Sequence, residues 1–368
     1  MDKLKSAVIG AALLLLLLPG CERKISDSGG DGGVDNASED CLECHAGLLD
    51  QAQGEWVNST HASGANVDYT NRGGSDCGRC HNQDGYLYYL ENGTLPDDPF
   101  ESAKAIGCFT CHDPHGTGTL EVRQTDPYVL ENGYVFDHGD ANQCAACHHA
   151  RFDVTSDIFD DMEVSRRFGP HHSNQSDMIS GTNGWEFPGE DYQFPLSPHV
   201  NQVEEACIGC HMANPRTHAG YVLGGHSWNM HVDGVEDNLA GVCAASSCHG
   251  EDVEEYDFLA DADYDNDGTI EGYQTEIHGL LDSLEILLEI QAVLDEGSQF
   301  DTTIADANLA GALYNWVFVE EDQSSGIHNF NYARSLLEAS IDYVSQLPPP
   351  VAGKAIAGQP SFDMRVSH

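Results

Sequence analysis

The chain has 368 residues, and 61 acidic side chains outnumber 15 lysines and arginines to give a formal net charge of −46. This charge excludes nucleic acid and anionic lipid surfaces as partners and favours basic proteins or cations. The 13 cysteines and 19 histidines point to covalent and metal chemistry.

The first 40 residues predict export. Lys3 and Lys5 precede an apolar run at 11–18, and Leu18-Pro19-Gly20-Cys21 resembles a lipobox. We expect residues 1–20 to be a lipoprotein signal peptide, Cys21 to be lipidated, and 21–40, rich in Ser, Gly and Asp, to be a flexible tether. Ordinary signal cleavage, with Cys21 incidental, is the alternative. The residue after Cys21 is Glu22, not the aspartate that resembles an inner-membrane retention signal in some bacteria. Glu22 therefore favours the outer membrane, at the cell surface or its periplasmic face, and an extracellular location is a further option.

Twelve cysteines form six cassettes in which a histidine directly follows the second cysteine. The cassettes are Cys41/Cys44/His45, Cys77/Cys80/His81, Cys108/Cys111/His112, Cys144/Cys147/His148, Cys207/Cys210/His211 and Cys243/Cys248/His249. Two such thiols can reach the two vinyl groups of a porphyrin, and the histidine can then bind its iron as proximal ligand. Each cassette therefore predicts a covalently bound haem c, six in all. The sixth has four residues between its thiols, and this longer spacer can bulge outward.

Other interpretations of cysteine pairs explain the pattern less well. Zinc half-sites, thioredoxin-like redox pairs and disulfides all use two nearby cysteines. None of them requires a histidine directly after the second cysteine, and that histidine is present in all six cassettes.

Residues 41–255 predict a loop-rich hexahaem-binding domain. Turn residues (Gly, Asn, Asp and Pro) separate the cassettes. We expect no ordinary apolar core built from side chains in this region, with short helices packed around six haems instead. Three successive cassette pairs share a spacing of 36 residues, which suggests a duplicated two-haem module.

Residues 256–350 predict a C-terminal helical region. Leucines and other apolar residues recur at helical spacing in three stretches within 273–347, and Pro348 ends the last. Before them, Asp263, Asp265, Asp267, Thr269 and Glu271 resemble the start of an EF-hand-type Ca²⁺ loop, although its twelfth position is Gln274 where a glutamate is usual. An acidic surface turn is the alternative. Residues 351–368 are expected to be a disordered tail.

The 13 histidines outside the cassettes are numerous enough to give every haem a second imidazole. Iron with two imidazoles is coordinatively saturated and needs little reorganisation when an electron passes. The histidine count therefore favours an electron carrier over an enzyme.

Five segments resemble outer-surface multihaem cytochromes of metal-respiring bacteria, including the hexahaem nanowire type. They are CFTCHDPHG (108–116), GPHHSNQSDM (169–178), CHM (210–212), GGHSWNM (224–230) and GIHN (326–329), and the likeness covers roughly 41–345. The resemblance implies two histidine ligands on nearly every haem and close haem packing. It also implies that some relatives form conducting filaments, whose released subunits lack the lipobox seen here. The expected fold is thus a multihaem cytochrome c, with about three C-terminal α-helices in a bundle and little β-structure.

Six histidines are the distal-ligand candidates, and several others are held in reserve. The candidates are His61, His115, His171, His199, His226 and His328. His115 lies too near His112 to bind the same haem, so it should serve a neighbour. The reserves are His138, His149, His172 and His218, with Met212 and Met230 as alternative ligands. His231, His278 and His368 are the least suited.

These features predict a lipid-anchored outer-membrane cytochrome that carries electrons in anaerobic respiration and has no catalytic residue. The expected partners are other multihaem cytochromes or a porin-cytochrome conduit, and the acceptors are extracellular: metal oxides, electrodes or partner cells. Three alternatives stay open: a self-assembling filament subunit, a periplasmic electron store, and a nitrogen or sulfur oxyanion reductase with one open haem.

Overall fold

The computed structural model describes residue 47 and residues 49–350, apart from 64–76, 99, 101–102, 191, 193–195, 204, 233, 235–237, 245–247, 251–252, 296 and 298. The predictions for the signal peptide, Cys21, the tether, the first cassette (Cys41, Cys44, His45) and the tail with His368 fall outside these residues.

Most elements in the described part of the chain are short helices joined by loops. They are α1 (Asp50–Trp56), α2 (Cys77–His81), α3 (Gln83–Asn92), α4 (Cys108–Cys111), α5 (Pro114–Thr117), α6 (Asn142–Ala145), α7 (Val154–Asp157), α8 (Gln175–Ser180), α9 (Pro198–Gln202), α10 (Cys207–His211), α11 (Tyr273–Ile290), α12 (Ala307–Asp322) and α13 (Phe330–Ser345). Four 3₁₀ turns lie at Thr60–Ala62, Gly139–Ala141, Gly225–Ser227 and Ala240–Cys243.

The described strands form three small antiparallel sheets of two strands each. Strands β1 (Tyr128–Val129) and β2 (Val135–Phe136) form a hairpin, as do β4 (Arg216–His218) and β5 (Tyr221–Leu223). Strand β3 (Met162–Val164) pairs with the distant β6 (Thr302–Ile304), with Met162 opposite Ile304. The expectation of helices and loops with little strand is confirmed.

The three long helices near the C-terminus contact one another. In α11, Ile277, Leu284 and Leu288 are fully buried at the helical spacing seen in the sequence. Helix α12 begins at the N-cap Asp306, whose carboxylate accepts the Leu309 N–H at 3.0 Å, and α13 begins at the N-cap Asn329.

The main apolar core extends well beyond these helices. Val154, Met162, Phe168 and Met178 are buried in the same cluster as α11–α13. A second, smaller cluster lies wholly within 41–255 and contains Leu130, Phe136, Ala141, Ala145, Ile179, Val200 and Ala206. The expectation that 41–255 has no apolar core of its own side chains is therefore wrong. These residues are scattered between turns, so no local period marked them.

Buried amides fasten the segment 170–187 to the C-terminal helices. The Asn174 side chain donates to the Phe318 carbonyl at 2.7 Å, and that of Asn329 donates to the Met178 carbonyl at 3.0 Å. The Asn315 side chain accepts the Trp185 N–H at 2.7 Å. Since buried polar groups are costly unless paired, these bonds fix the segment that carries His171 and Gln175.

Candidate functional site

Short helical turns carry the described cassettes. Helices α2, α4 and α10 contain the second, third and fifth thiol pairs, the fourth begins in α6, and Cys243 ends a 3₁₀ turn. In a helix, residues three apart lie on one face, so the two thiols of a pair in α2, α4 or α10 point to the same side. This is the arrangement that attachment to one porphyrin edge requires.

The sixth cassette departs from this arrangement at Cys248. The nine other described cassette cysteines are half-buried, whereas Cys248 is exposed and lies in a turn beyond the 3₁₀ turn that ends at Cys243. Because five positions separate Cys243 from Cys248, the two thiols cannot share one face of a single helical turn. Attachment of the sixth haem through Cys248 stays a prediction.

None of the ten described cassette cysteines forms a disulfide. Burial raises the pKa of Cys111 to about 12 and that of Cys210 to about 11, so both remain protonated at neutral pH. Within the described residues, the one group placed to hold a metal ion by side chains alone is acidic and contains no cysteine. The disulfide and zinc interpretations gain no support here.

Each described proximal histidine faces one of the predicted distal histidines. Between ring centroids, the distances are 6.0 Å for His81/His171, 6.4 Å for His112/His226, 6.1 Å for His148/His61, 6.3 Å for His211/His328 and 6.2 Å for His249/His199. We call these pairs the second to sixth sites, after their cassettes. The ring planes are inclined by 46° to 68°, so the imidazoles do not stack face to face.

The spacing within these pairs fits an iron ion between two imidazoles. A ring centroid lies about 1.2 Å from its nitrogen and a metal–nitrogen bond is about 2.0 Å, so two trans imidazoles have centroids about 6.4 Å apart. Ring contacts without an ion also have centroids about 4.5 to 7 Å apart, so the support comes from the recurrence of this spacing at all five described cassette histidines. The donor set in all five pairs therefore fits haem iron with two axial histidines.

Hydrogen bonds orient the rings in the way a metal ligand requires. In the proximal set, the Nδ1 atoms of His112, His148 and His211 meet the Glu121 carbonyl (3.4 Å), the Gln175 side-chain oxygen (3.1 Å) and the Trp228 carbonyl (3.0 Å). In these rings Nδ1 donates to an oxygen, which leaves Nε2 with its lone pair for the metal.

Two distal histidines have carboxylates as their Nδ1 partners. His226 meets Glu55 at 3.3 Å, and His328 meets Asp322 at 2.7 Å. Both acids are buried, with 6% and 2% of their surfaces exposed. Burial alone would raise the pKa of Glu55, but hydrogen bonds from His226 and Gln51 outweigh it and lower the pKa, so the group is anionic. Such carboxylates orient a ligating imidazole and raise its basicity.

Burial keeps most of the paired imidazoles neutral, the form that binds metal. It lowers the pKa of His61 and of His211 to about 4, and that of His171 to about 3, where the positive charge of Arg151 adds to the effect. His328 differs: burial opposes its protonation, but the Asp322 carboxylate raises its pKa overall.

His115 is the one distal candidate outside the five pairs. Its ring lies 5.7 Å from that of Phe109. The remaining cassette histidine, His45, lies outside the described residues, and the expectation that His115 serves a neighbouring haem stays a prediction.

The reserve residues take other places. His149 uses both ring nitrogens, one toward the Ala150 carbonyl and one toward the Tyr128 hydroxyl. His172 contacts Glu321, and His138 packs edge-on against Phe136. His218 lies on β4, His231 is bridged to Asn238, and His278 contacts Ser325. The five pairs need neither Met212 nor Met230.

The predicted Ca²⁺ loop brings three carboxylates together. Asp263, Asp265 and Asp267 have oxygens within 4.8 Å of one another. The Asp263 carboxylate accepts the Gly268 N–H at 3.0 Å, as a tight loop of this kind requires. Gln274, at the twelfth position, donates instead to the Ser324 carbonyl at 3.2 Å. Thr269 donates its N–H to the Asp267 carboxylate. Desolvation and repulsion by the neighbouring carboxylates, Asp267 first among them, raise the pKa of Glu271. Ca²⁺ binding stays a prediction.

The residues that orient the rings (Glu55, Glu121, Gln175, Trp228 and Asp322) were not found from the sequence. Glu55, Gln175 and Trp228 reach their histidines from separate parts of the fold, whereas Glu121 lies nine residues after His112 and Asp322 lies six residues before His328. An acidic residue one or two turns before a candidate histidine is the only local signal among them.

No helix in the described part of the chain is long and apolar enough to cross a membrane.

No protein-family model and no curated protein matches the chain. Among solved structures, the chain is similar to the outer cell wall cytochrome OcwA, with 22% identity over 79% of this chain and 49% of that one, at a TM-score of 0.47. It is also similar to an undecahaem cytochrome from the S-layer of Carboxydothermus ferrireducens, with 19% identity over 85% of this chain and 46% of that one, at a TM-score of 0.49. The chain spans about half the length of either protein.

Proposed function

We propose that the chain is a hexahaem c-type cytochrome that carries electrons without making or breaking substrate bonds. The observation that carries the proposal is the set of five histidine pairs, each joining a cassette histidine to a distal one at 6.0 to 6.4 Å. Haem c, when bound, supplies a one-electron Fe(III)/Fe(II) couple.

The residues have distinct roles in this proposal. The paired cysteines attach each haem, the cassette histidine is the proximal ligand, and His61, His171, His199, His226 and His328 are distal ligands. For the first haem, the ligands would be His45 and His115. Two histidines would hold each haem iron, which would leave no position for a substrate and favours a carrier over a reductase.

Spectroscopy on the purified full-length holoprotein tests this proposal. Intact mass should give six covalently bound haems, and electron paramagnetic resonance of the oxidised protein should contain low-spin iron only. Cyanide or nitrite should leave the spectrum unchanged. A high-spin signal that responds to either ligand would replace the carrier with the reductase alternative.

We further propose that the protein is anchored by a lipid on Cys21 at the outer membrane and passes electrons to extracellular acceptors such as metal oxides. The lipobox-like Leu18-Pro19-Gly20-Cys21 supports the anchor. The net charge of −46 suits contact with a basic partner, such as another cytochrome or a conduit protein.

Localisation experiments separate this proposal from the filament and periplasmic-store alternatives. The wild-type protein should fractionate with the outer membrane and be cleaved by protease on intact cells, and Cys21→Ala should release it. Sedimentation of the purified protein as fibres would favour the filament subunit. Complete protection of the protein from protease on intact cells would favour the periplasmic electron store.

A further inference from the structure

The loop at 224–229 has an unusual backbone. Gly224, Gly225 and Trp228 have φ angles of 74°, 54° and 55°. A Cβ at Gly225 would lie 2.4 Å from the Glu55 carboxylate, so glycine is required there. Trp228 has no such freedom, and a bulky residue with positive φ persists only where its surroundings hold it.

Hydrogen bonds hold the loop in this form. The Ser227 hydroxyl donates to the Gly224 carbonyl at 2.7 Å. The Asn229 side chain donates to the carbonyls of Asn58 and Val222 at 3.0 and 3.1 Å. The loop is thus tied to the chain after α1 and to strand β5, and Trp228 is held between them.

Trp228 contacts residues of three sites at once. Its indole lies edge-on to His61 of the fourth site, with centroids 4.6 Å apart, and to His226 of the third site at 5.7 Å. Its carbonyl accepts the Nδ1–H of His211, the proximal histidine of the fifth site, at 3.0 Å. The imidazoles of the third and fourth sites therefore pack on one indole.

The thiols of the fourth cassette contact two further cassettes. The side chain of Cys147 lies against that of Cys80 of the second cassette, and Cys144 lies against Cys207 of the fifth. With haem attached these sulfurs would be thioethers, so the proximity of the cassettes is the observation used here. The sixth site adjoins the fifth, since the His199 ring donates to the Ile327 carbonyl next to His328. The fourth site thus has the second, third and fifth as neighbours, whereas a linear chain allows each site two.

We propose that the fourth site is the junction of a branched set of haems, and that Trp228 is the positioning residue that holds the third and fifth sites to it. This inference rests on the proposed electron-carrier function and adds the route to it. Electrons pass singly between irons, each step oxidising one Fe(II) and reducing one Fe(III). The indole is not oxidised, because its role is to fix the orientation of His61 and His226.

Two substitutions at Trp228 separate the indole from the backbone. Trp228→Gly keeps the left-handed conformation and removes the indole, so the low-spin resonance signals of the third and fourth haems should shift and the others stay. Trp228→Val also disfavours positive φ, so the signal of the fifth haem, whose proximal histidine His211 is hydrogen-bonded to the Trp228 carbonyl, should shift as well. The spectra of His61→Met, His226→Met and His328→Met holoproteins assign the signals.

Trp316→Leu is the control, because this tryptophan packs against the C-terminal core. It should leave every haem signal in place. If Trp228→Gly moves no signal, or moves all of them equally, Trp228 is not a positioning residue. Should Trp228→Val fail to fold, the glycine variant alone decides.

A redox titration tests the junction. His61→Met should raise the potential of the fourth haem, so that it is reduced before its neighbours. A reduced iron carries less positive charge, so each adjacent haem becomes harder to reduce. The potentials of the second, third and fifth haems should fall, and that of the sixth should stay. A fall in the potentials of only two of these three haems would indicate a linear arrangement.

The two proposals fail differently. Absence of low-spin haems with two histidine ligands in the wild-type protein would remove the electron-carrier function itself. A normal wild-type spectrum with an unresponsive Trp228→Gly variant would remove only the junction.

Discussion

At the scale of single residues, the third and fifth sites each have a buried carboxylate behind one imidazole. Their proximal histidines, His112 and His211, meet neutral backbone carbonyls, and their distal histidines, His226 and His328, meet the carboxylates of Glu55 and Asp322. A negative charge close to iron stabilises the oxidised state and lowers its potential. The third and fifth haems should therefore have lower potentials than an otherwise similar site.

Neutralising these carboxylates tests the effect. Glu55→Gln should raise the potential of the third haem, and Asp322→Asn that of the fifth, each by roughly 60 mV, which corresponds to about tenfold in the one-electron equilibrium. Spectroelectrochemical titration measures both. Glu321→Gln, next to His172 outside the pairs, is the control and should leave the haem potentials unchanged. Unchanged potentials in Glu55→Gln and Asp322→Asn would contradict the argument.

The adjacent residues His171 and His172 offer a matched pair for distal ligation. His171 faces His81 at 6.0 Å, whereas His172 contacts Glu321. His171→Met should raise the potential of one haem by on the order of 0.1 V, within the span of about 0.8 V that axial ligands produce. His172→Met should leave it unchanged. The opposite result in the redox titration would reassign the distal ligand of the second site.

At the scale of elements, the segment 170–187 links the haem sites to the C-terminal helices. It carries His171 and Gln175, and Asn174 bonds to α12. At its centre the fully buried Asp177 accepts the Ala150 N–H at 2.7 Å and the Asn183 side-chain N–H at 3.0 Å. Burial raises the pKa of Asp177 from 3.8 to about 6.

This shift predicts a pH-dependent stability. The folded state binds the proton more tightly than the unfolded state, so the contribution of Asp177 is fully present below about pH 4 and is lost as pH rises through about 6. The rise in the pKa of Asp177 from 3.8 to about 6 corresponds to a change in stability of about 3 kcal/mol. In denaturant unfolding of the holoprotein, Asp177→Asn should not lose this stability as pH rises through about 6. The variant should therefore be more stable relative to wild type at pH 7 than at pH 4. The exposed Asp137→Asn should show no such gain, and equal pH profiles for Asp177→Asn and wild type would contradict the prediction.

The acidic loop before α11 predicts a Ca²⁺ effect on stability. Three carboxylates within 4.8 Å repel one another without a cation, so millimolar Ca²⁺ should raise the Tm of the chelator-treated protein. Asp265→Asn should reduce the increase, and Asp261→Asn, outside the cluster, should not. Calorimetry measures both, and an equal response from Mg²⁺ would point to an acidic surface turn instead.

At the scale of the whole molecule, the acidic charge dominates. A net charge of −46 on 368 residues destabilises the compact state through self-repulsion. The charge is spread along the chain, so it gives solubility and a long-range field and does not define one binding patch.

Screening should therefore stabilise the protein. Raising ionic strength from about 0.01 M to 0.15 M shortens the Debye length from about 30 Å to 8 Å. We expect the Tm to rise with added NaCl, and KCl to give the same increase because screening does not depend on the cation. A Tm that falls with salt would show that attractive ion pairs outweigh the repulsion.

The cassettes and the C-terminal helices could be predicted from the sequence because each depends on local spacing. Cysteines three apart and a histidine next to them form one turn, and leucines at helical intervals form one buried face. The longer sixth cassette lacks this spacing, and the exposure of Cys248 was not predicted. All six distal candidates were proposed from the sequence, and five of them face a described cassette histidine. Which cassette each would face was beyond the sequence, since His148 and His61 lie 87 residues apart in the chain.

Local sequence was thus enough to find the six cassettes, the charge and the long helices. The pairing of histidines, the carboxylates behind His226 and His328, the core around Phe168 and the place of Trp228 among three sites came only from the folded structure. The physical reason is range. A covalent cassette and a helix are built from neighbours along the chain, whereas a hydrogen bond between Glu55 and His226 or a ring contact from Trp228 to His61 forms only when distant segments have packed together.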